Sequence, residues 1–407
     1  LLHESEGARR EAARGLARLS ARDLHRRLSP LASGPPVPAR VGIWGVQALR
    51  DIDRHARKRL VKISEEGQGA SRRTALEWAR LLDLQGLERL LDDSFEQRVN
   101  EAIDAGVVYL RGRCVTAGSA TPVTENEMLD LLTLVKCGIP ANDPSILPRI
   151  QCLAGQTPGD QGGTYGAGLA LMLLYECGPD TYREAMERHA RFLVDHQMEN
   201  GMWGYARTTT AGTAGERGDN SNTQFAILGL RAAAEAGIEV PGEVWERTAR
   251  HFEASQGTYG GWGYASPSPA TAPYGSMTCS GICSILVCRA QLARGGPELN
   301  PFALPHVRKG LDWLAGEFSV SANPQKKGPS WLYYYLYSLE RTGALTGQDR
   351  FGNHDWYQEG AEYLLDRQAE NGSWGGPSGR YDTCFALLFL RRATRPLYAV
   401  GSASPAE

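Results

Sequence analysis

The side chains with the widest chemical reach are carboxylates and aromatics placed at the starts of apolar segments. Asp219 opens the run Asp219-Asn-Ser-Asn-Thr223, which continues Gln224-Phe-Ala, and Asp382 opens Asp382-Thr-Cys384. A carboxyl group at a helix start can serve as an N-cap, accepting hydrogen bonds from orphan backbone N–H groups. Held dry beside a cavity, the same group stays protonated and can act as an acid. Burial raises its pKa and N–H donors lower it, and residue types alone leave that balance open. Asp160, Asn220, Asn222, Ser276 and Ser330 occupy comparable places, the serines reading as caps. As a pair, Asp219 and Asp382 would also suit glycoside hydrolysis. Aromatics form the second group. Trp331, Tyr333, Tyr334, Tyr335 and Tyr337 crowd one segment, and Tyr165, Phe225, Tyr381 and Phe385 lie on others. Ring faces around a dry space stabilise a cation or hold an apolar chain, and the competing reading is core packing. Successive helix positions diverge by about 100°, so at least two of Tyr333–Tyr335 face away from any common centre. Cys279 and Cys283 are four apart and share a helix face. A zinc site would need two more ligands and no His is close in sequence, so packing is expected, with no metal and no cofactor.

The elements that must position these groups are set by a repeat. Gln197-Met-Glu-Asn-Gly201-Met-Trp203, Gln256-Gly-Thr-Tyr-Gly260-Gly-Trp262 and Gln368-Ala-Glu-Asn-Gly372-Ser-Trp374 share the form Q-x-x-x-G-x-W. The first two begin 59 residues apart and the next two 112, so an eroded copy falls near Trp313. Each copy closes an amphipathic helix and precedes an apolar one. Amphipathic helices are expected at 98–111, 145–154, 181–197, 242–256, 304–316 and 356–368. Apolar helices are expected at 126–137, 165–177, 221–237, 277–294, 330–343 and 381–393. Helices apolar nearly all round must be buried, which predicts an all-α, α/α toroid with six inner and six outer helices. Gly229, Gly281 and Ala386 are expected to let inner helices approach closely. In the motif, Gly leaves the helix with positive φ, Trp folds back with its indole N–H satisfied, and Gln bridges loop backbone groups. Gln197, Trp203, Gln256, Trp262, Gln368 and Trp374 are therefore structural.

Of 407 residues, 42% are hydrophobic and 22% charged, and the net charge of −2 speaks against a nucleic-acid partner. The basic excess lies in the first 95 residues, with 18 Lys and Arg against 13 Asp and Glu. There Glu4 to Leu28 carries seven arginines, Ser29 to Pro38 reads as a loop, and 45–63 and 74–92 as helices. This helical extension reads as an exposed arm, a partner-binding helix or a peripheral membrane contact. Residues 96–398 form the toroid and 399–407 a disordered tail. No run reaches the ~20 apolar residues of a membrane span. The sequence opens on Leu1, as a fragment or processed form would. Eight cysteines in a chain this long do not mark a disulfide scaffold, and a reducing compartment, cytoplasmic or membrane-peripheral, is expected rather than secretion.

The Q-x-x-x-G-x-W motifs resemble the QW repeats of squalene and oxidosqualene cyclases, whose α/α toroid also occurs in protein prenyltransferases. The likeness spans roughly Val99 to Pro396. It implies a polyisoprenoid bound in the ring, Asp219 as the protonating acid, and Asn222, Tyr165, Phe225, Trp331, Tyr334 and Phe385 as substrate contacts. The cyclases use a D-x-D-D-T-A type motif; here Asp219 and Thr223 match it, and Asn or Ser fills the rest. Asp382-Thr-Cys384 matches half of a prenyltransferase zinc motif, but no His follows. A non-catalytic toroid binding a lipid, peptide or protein remains the alternative, and a carbohydrate-active ring a further one.

Overall fold

The computed structural model describes residues 93–114, 121–205, 218–265, 272–294, 299–326, 331–375 and 381–397. The chain divides into two units, Leu1–Asn100 and Glu101–Glu407. The division falls within the helix Asp93–Cys114. The helices expected before residue 93 and the tail expected at 399–407 lie outside the described residues.

Twelve α-helices are described. The outer set is α1 (Asp93–Cys114), α3 (Leu147–Ala154), α5 (Arg183–Asp195), α7 (Gly242–Ser255), α9 (Pro305–Gly316) and α11 (Trp356–Leu365). The inner set is α2 (Glu125–Lys136), α4 (Gly163–Cys177), α6 (Asn220–Glu235), α8 (Gly275–Leu292), α10 (Leu332–Thr346) and α12 (Asp382–Leu390). Each inner helix packs on the next, α2 on α4 and so on to α12, and α12 returns to α2. That closure makes the second unit an α/α toroid. Because every inner helix follows an antiparallel outer one, the six inner N-termini share one end. The sole strands among the described residues are Arg350–Phe351 and His354–Asp355, a minimal hairpin between α10 and α11.

The repeat motif is the joint of this ring. In all three copies the indole N–H donates to the carbonyl ten residues back, Trp203 to Leu193, Trp262 to Phe252 and Trp374 to Leu364, at 2.7–2.8 Å. The Gln amide donates to the carbonyl of its own motif glycine and to a carbonyl on the following outer helix. Gln197 reaches Val244, Gln256 reaches His306 and Gln368 reaches Ala102. The last contact ties the final repeat to the first outer helix and shuts the ring. Gly201, Gly260 and Gly372 have φ of 84°, 99° and 83°, and a Cβ there would lie 2.3–2.4 Å from a carbonyl oxygen of that neighbouring helix. Both the backbone angle and the contact therefore demand glycine.

Two expectations about small residues part ways. Gly229 does bring inner helices together: a Cβ there would stand 2.7 Å from the Gly168 Cα of α4. Gly281 instead makes room for the Trp262 indole, 2.4 Å from its would-be Cβ, so it serves the inner–outer joint. The motif also has a member that the spacing did not reveal. Thr223, Thr278 and Thr383 accept the backbone N–H of Trp203, Trp262 and Trp374 at 3.0–3.2 Å.

The opposite end of the ring is crossed by the chain after α12. Glu340 of α10 accepts from the Thr394 N–H and hydroxyl, Arg231 of α6 donates to the Arg395 and Pro396 carbonyls, and Arg395 pairs with Glu176 of α4 at 2.9 Å. No helix among the described residues is long and apolar enough to cross a membrane.

Candidate functional site at the inner-helix N-termini

Asp219 is the N-cap of α6. One carboxylate oxygen accepts from the Ser221 and Asn222 N–H groups at 3.0 and 2.8 Å, the other from the Asn222 side chain at 2.7 Å. Tyr264 adds a further side-chain hydrogen bond. Only 4% of the residue is exposed. Burial, the largest influence, outweighs those donors and holds the carboxyl above its ordinary pKa. In the balance that residue types left open, burial is thus the larger effect, while every donor in contact favours the carboxylate.

Asp382 does not cap its helix. Tyr381 is the N-cap of α12, and Asp382 is fully buried in the first turn. Counting from the motif threonine, Asp382 precedes Thr383 by one and so corresponds to Asn222, whereas Asp219 precedes Thr223 by four. Ring order puts α12 opposite α6. Asp382 acts on the Tyr333 phenol and Asp219 on those of Tyr165, Tyr274 and Tyr334. The two carboxylates thus sit on opposite inner helices and act on different phenols.

Several neighbours depart from expectation. Asp160 is exposed in the loop before α4, whose N-cap is Gly162. Ser276 is not a cap: it lies in the first turn of α8, where its N–H donates to the Asn323 side chain and its hydroxyl accepts from it. Ser330 lies outside the described residues. Trp331 precedes α10 rather than sitting on it. It is the N-cap, left-handed with φ 68°, and 42% exposed. Such a backbone is costly for a bulky residue.

The aromatics expected to converge are brought together. Tyr165 of α4 packs on Phe225 of α6 with centroids 4.8 Å apart, Phe225 on Tyr334 of α10 at 6.3 Å, and Tyr334 on Phe385 of α12 at 5.5 Å. Trp331 touches Tyr334 and Tyr381, and Tyr337 stacks on Phe385. Tyr205, 59% exposed, extends the run at the rim through Tyr165. Of the three successive tyrosines only Tyr334 joins this cluster. Beneath the rings is a polar seam. Ser221 bonds to the Tyr165 hydroxyl and, at 3.3 Å, to that of Tyr334, which also donates to Gln224 at 2.7 Å. Tyr334 thus spans from α10 to α6, which are not ring neighbours. Burial pushes its phenol up to about 12, so the seam is neutral at physiological pH.

Asn222 turns its side-chain N–H to Asp219. Asn220 binds the buried ring of His251 at 2.8 Å, and burial lowers that imidazole to about 4. Ser221, Gln224, Tyr205, Tyr264 and Tyr274 were not singled out by sequence; only the i, i+3 spacing of Ser221 and Gln224 hinted at a shared face. Cys279 and Cys283 are buried thiols raised by desolvation, Cys283 lying 3.5 Å from the Thr342 hydroxyl. No group of three potential ligands among the described residues could hold a metal.

No family model and no curated protein matches the chain. Among solved structures, a variant of the type II terpene cyclase MstE from Scytonema in complex with geranylgeranyl dihydroxybenzoate is similar, with a TM-score of 0.48 at 12% identity over 74% of this chain and 97% of that one. A variant of the same enzyme in complex with merosterolic acid A gives 0.47 at 14% over 74% and 97%, and the apo enzyme 0.47 at 13% over 73% and 98%. The toroid assignment stands on this chain's own closed helix contacts.

Proposed function

We propose that the chain is a terpenoid-cyclase-like protein that takes a polyisoprenoid, or another apolar chain, at the inner N-terminal end of the ring. The observation carrying this reading is the aromatic run from the exposed rim, Tyr205 and Trp331, to buried Tyr337 and Phe385. Such a surface withdraws apolar area from water at about 25 cal/mol per Å² and presents ring faces to a developing cation. In this reading Asp219 is the acid. Its O–H bond breaks as a C–H bond forms at the terminal alkene, and the cation develops between Tyr165, Phe225, Tyr334 and Phe385. The raised pKa of Asp219 favours that role.

The four donors around Asp219 favour a second reading, in which the ring binds the same ligand without protonating it. Incubating the purified chain with squalene and shorter polyprenyl substrates, followed by mass spectrometry, separates the two. Cyclised product that disappears in Asp219→Asn while ligand binding persists is the expected result. Ligand recovered unchanged would leave binding alone, and neither product nor bound ligand would overturn both.

A further inference from the structure

Tyr334, Ser338 and Arg341 lie at i, i+4 and i+7 on α10 and therefore on one stripe of that helix. Tyr334 reaches across to Ser221 and Gln224 on α6, so the stripe faces the centre of the ring. Arg341 is 1% exposed. Its guanidinium lies over the Tyr337 ring at 4.2 Å and donates to the Ser338 hydroxyl at 3.2 Å. Its remaining groups, Nε and Nη1, have no hydrogen-bond partner among the described residues, and neither does the Gln224 Nε2. An arginine cannot shed its proton to escape burial. Burying a charge costs desolvation free energy, which one neutral hydrogen bond and a ring face offset only in part. Adjacent Glu340 is committed to Thr394; it attracts Arg341 electrostatically, but no salt bridge joins the two.

We propose that Arg341, assisted by Gln224, binds an anionic head group, a carboxylate or a phosphate, carried by the apolar ligand. This rests on the polyisoprenoid reading above and narrows its substrate class to acidic isoprenoids. Ten residues of helix, roughly 15 Å, separate exposed Trp331 from Arg341. The head lies deep, the Thr394–Pro396 segment closes the far end, and the chain runs back along Tyr334, Phe385 and Tyr337 to the aromatic rim. Arg341 then supplies the charge and Gln224 a neutral donor.

The test is calorimetric titration of the full chain with geranylgeranoic acid, geranylgeranyl monophosphate and geranylgeraniol, alongside thermal shifts with inorganic phosphate alone. One of the two anionic ligands should bind at least about tenfold more tightly than the alcohol, as a charge-assisted contact implies. The tighter of the two identifies the head. Arg341→Met should erase that preference and leave alcohol affinity within about twofold, while Arg341→Lys retains part of it. Gln224→Glu, which keeps the acceptor for the Tyr334 hydroxyl but replaces the free N–H donor with an acidic oxygen, should weaken the anionic ligands more than the alcohol and provides a second variant should Arg341→Met fail to fold. Equal affinities in the native chain, or a preference that survives Arg341→Met, would overturn the proposal while leaving the isoprenoid reading intact. If none of the three ligands binds, but phosphate stabilises the native chain and not Arg341→Met, the anion site stands and the isoprenoid reading falls. If phosphate too has no effect, both fall.

Discussion

Glu340 gives the most quantitative handle on how the ring is closed. It is fully buried, accepts from Thr394 through both oxygens, and burial pushes its pKa from the ordinary 4.5 up to about 7. A raised pKa in the folded state means the unfolded chain releases this proton first. The stability associated with the protonated form is fully present below pH 4.5 and is lost as pH rises to about 7. The displacement corresponds to about 3 kcal/mol. Glu340→Gln keeps an acceptor for the Thr394 N–H and cannot ionise. Urea denaturation of both proteins from pH 4.5 to 8, read by far-ultraviolet circular dichroism, isolates this group because other titrations cancel in the difference. The variant should gain about 3 kcal/mol relative to the native chain across that window, most of it between pH 5 and 7. A difference flat with pH would refute the assignment of a protonated, tail-holding carboxyl. A difference of opposite sign would mean that the Thr394 donors outweigh desolvation.

Other perturbations test the joints and the rim. Thr278→Val leaves the buried Trp262 N–H without its acceptor and should cost about 1–3 kcal/mol in chemical denaturation. Gly260→Ala meets the Lys309 carbonyl at 2.4 Å and a φ of 99°, so a loss of more than 1 kcal/mol and a lower Tm are expected; an unchanged Tm would contradict the geometry. Gln368→Ala removes the bond to Ala102 that shuts the ring and should raise amide hydrogen exchange in α1 and α12 before other helices. Trp331→Gly relieves a left-handed tryptophan and should hold or raise Tm while weakening polyprenyl binding; tighter binding would remove Trp331 from the ligand surface.

Much of the framework follows from local rules. The alternation of amphipathic and all-round apolar helices, punctuated by Q-x-x-x-G-x-W, set the order and approximate bounds of all twelve described helices, since periodicity and a mandatory positive-φ glycine act over a few residues. The aromatic convergence was legible in part for the same reason: helix phase lets at most one of Tyr333, Tyr334 and Tyr335 face a common centre, without saying which. What stayed hidden depends on partners distant in sequence. Asp219 and Asp382 are alike as helix-start carboxylates, yet differ by three positions against the motif threonine and lie on opposite inner helices. Ser276 resembles a cap, but Asn323, 47 residues later, takes its N–H. Arg341 reads as an ordinary polar residue until ring closure buries it.

Sequence by itself determined the helices and the necessity of burying six of them, because hydrophobic pattern and backbone chemistry are local properties. Tertiary structure alone decided which carboxyl is desolvated, which tyrosine crosses the centre, and which arginine is left with unmet donors. Those outcomes arise from burial and long-range hydrogen bonding, which exist only once the ring has closed.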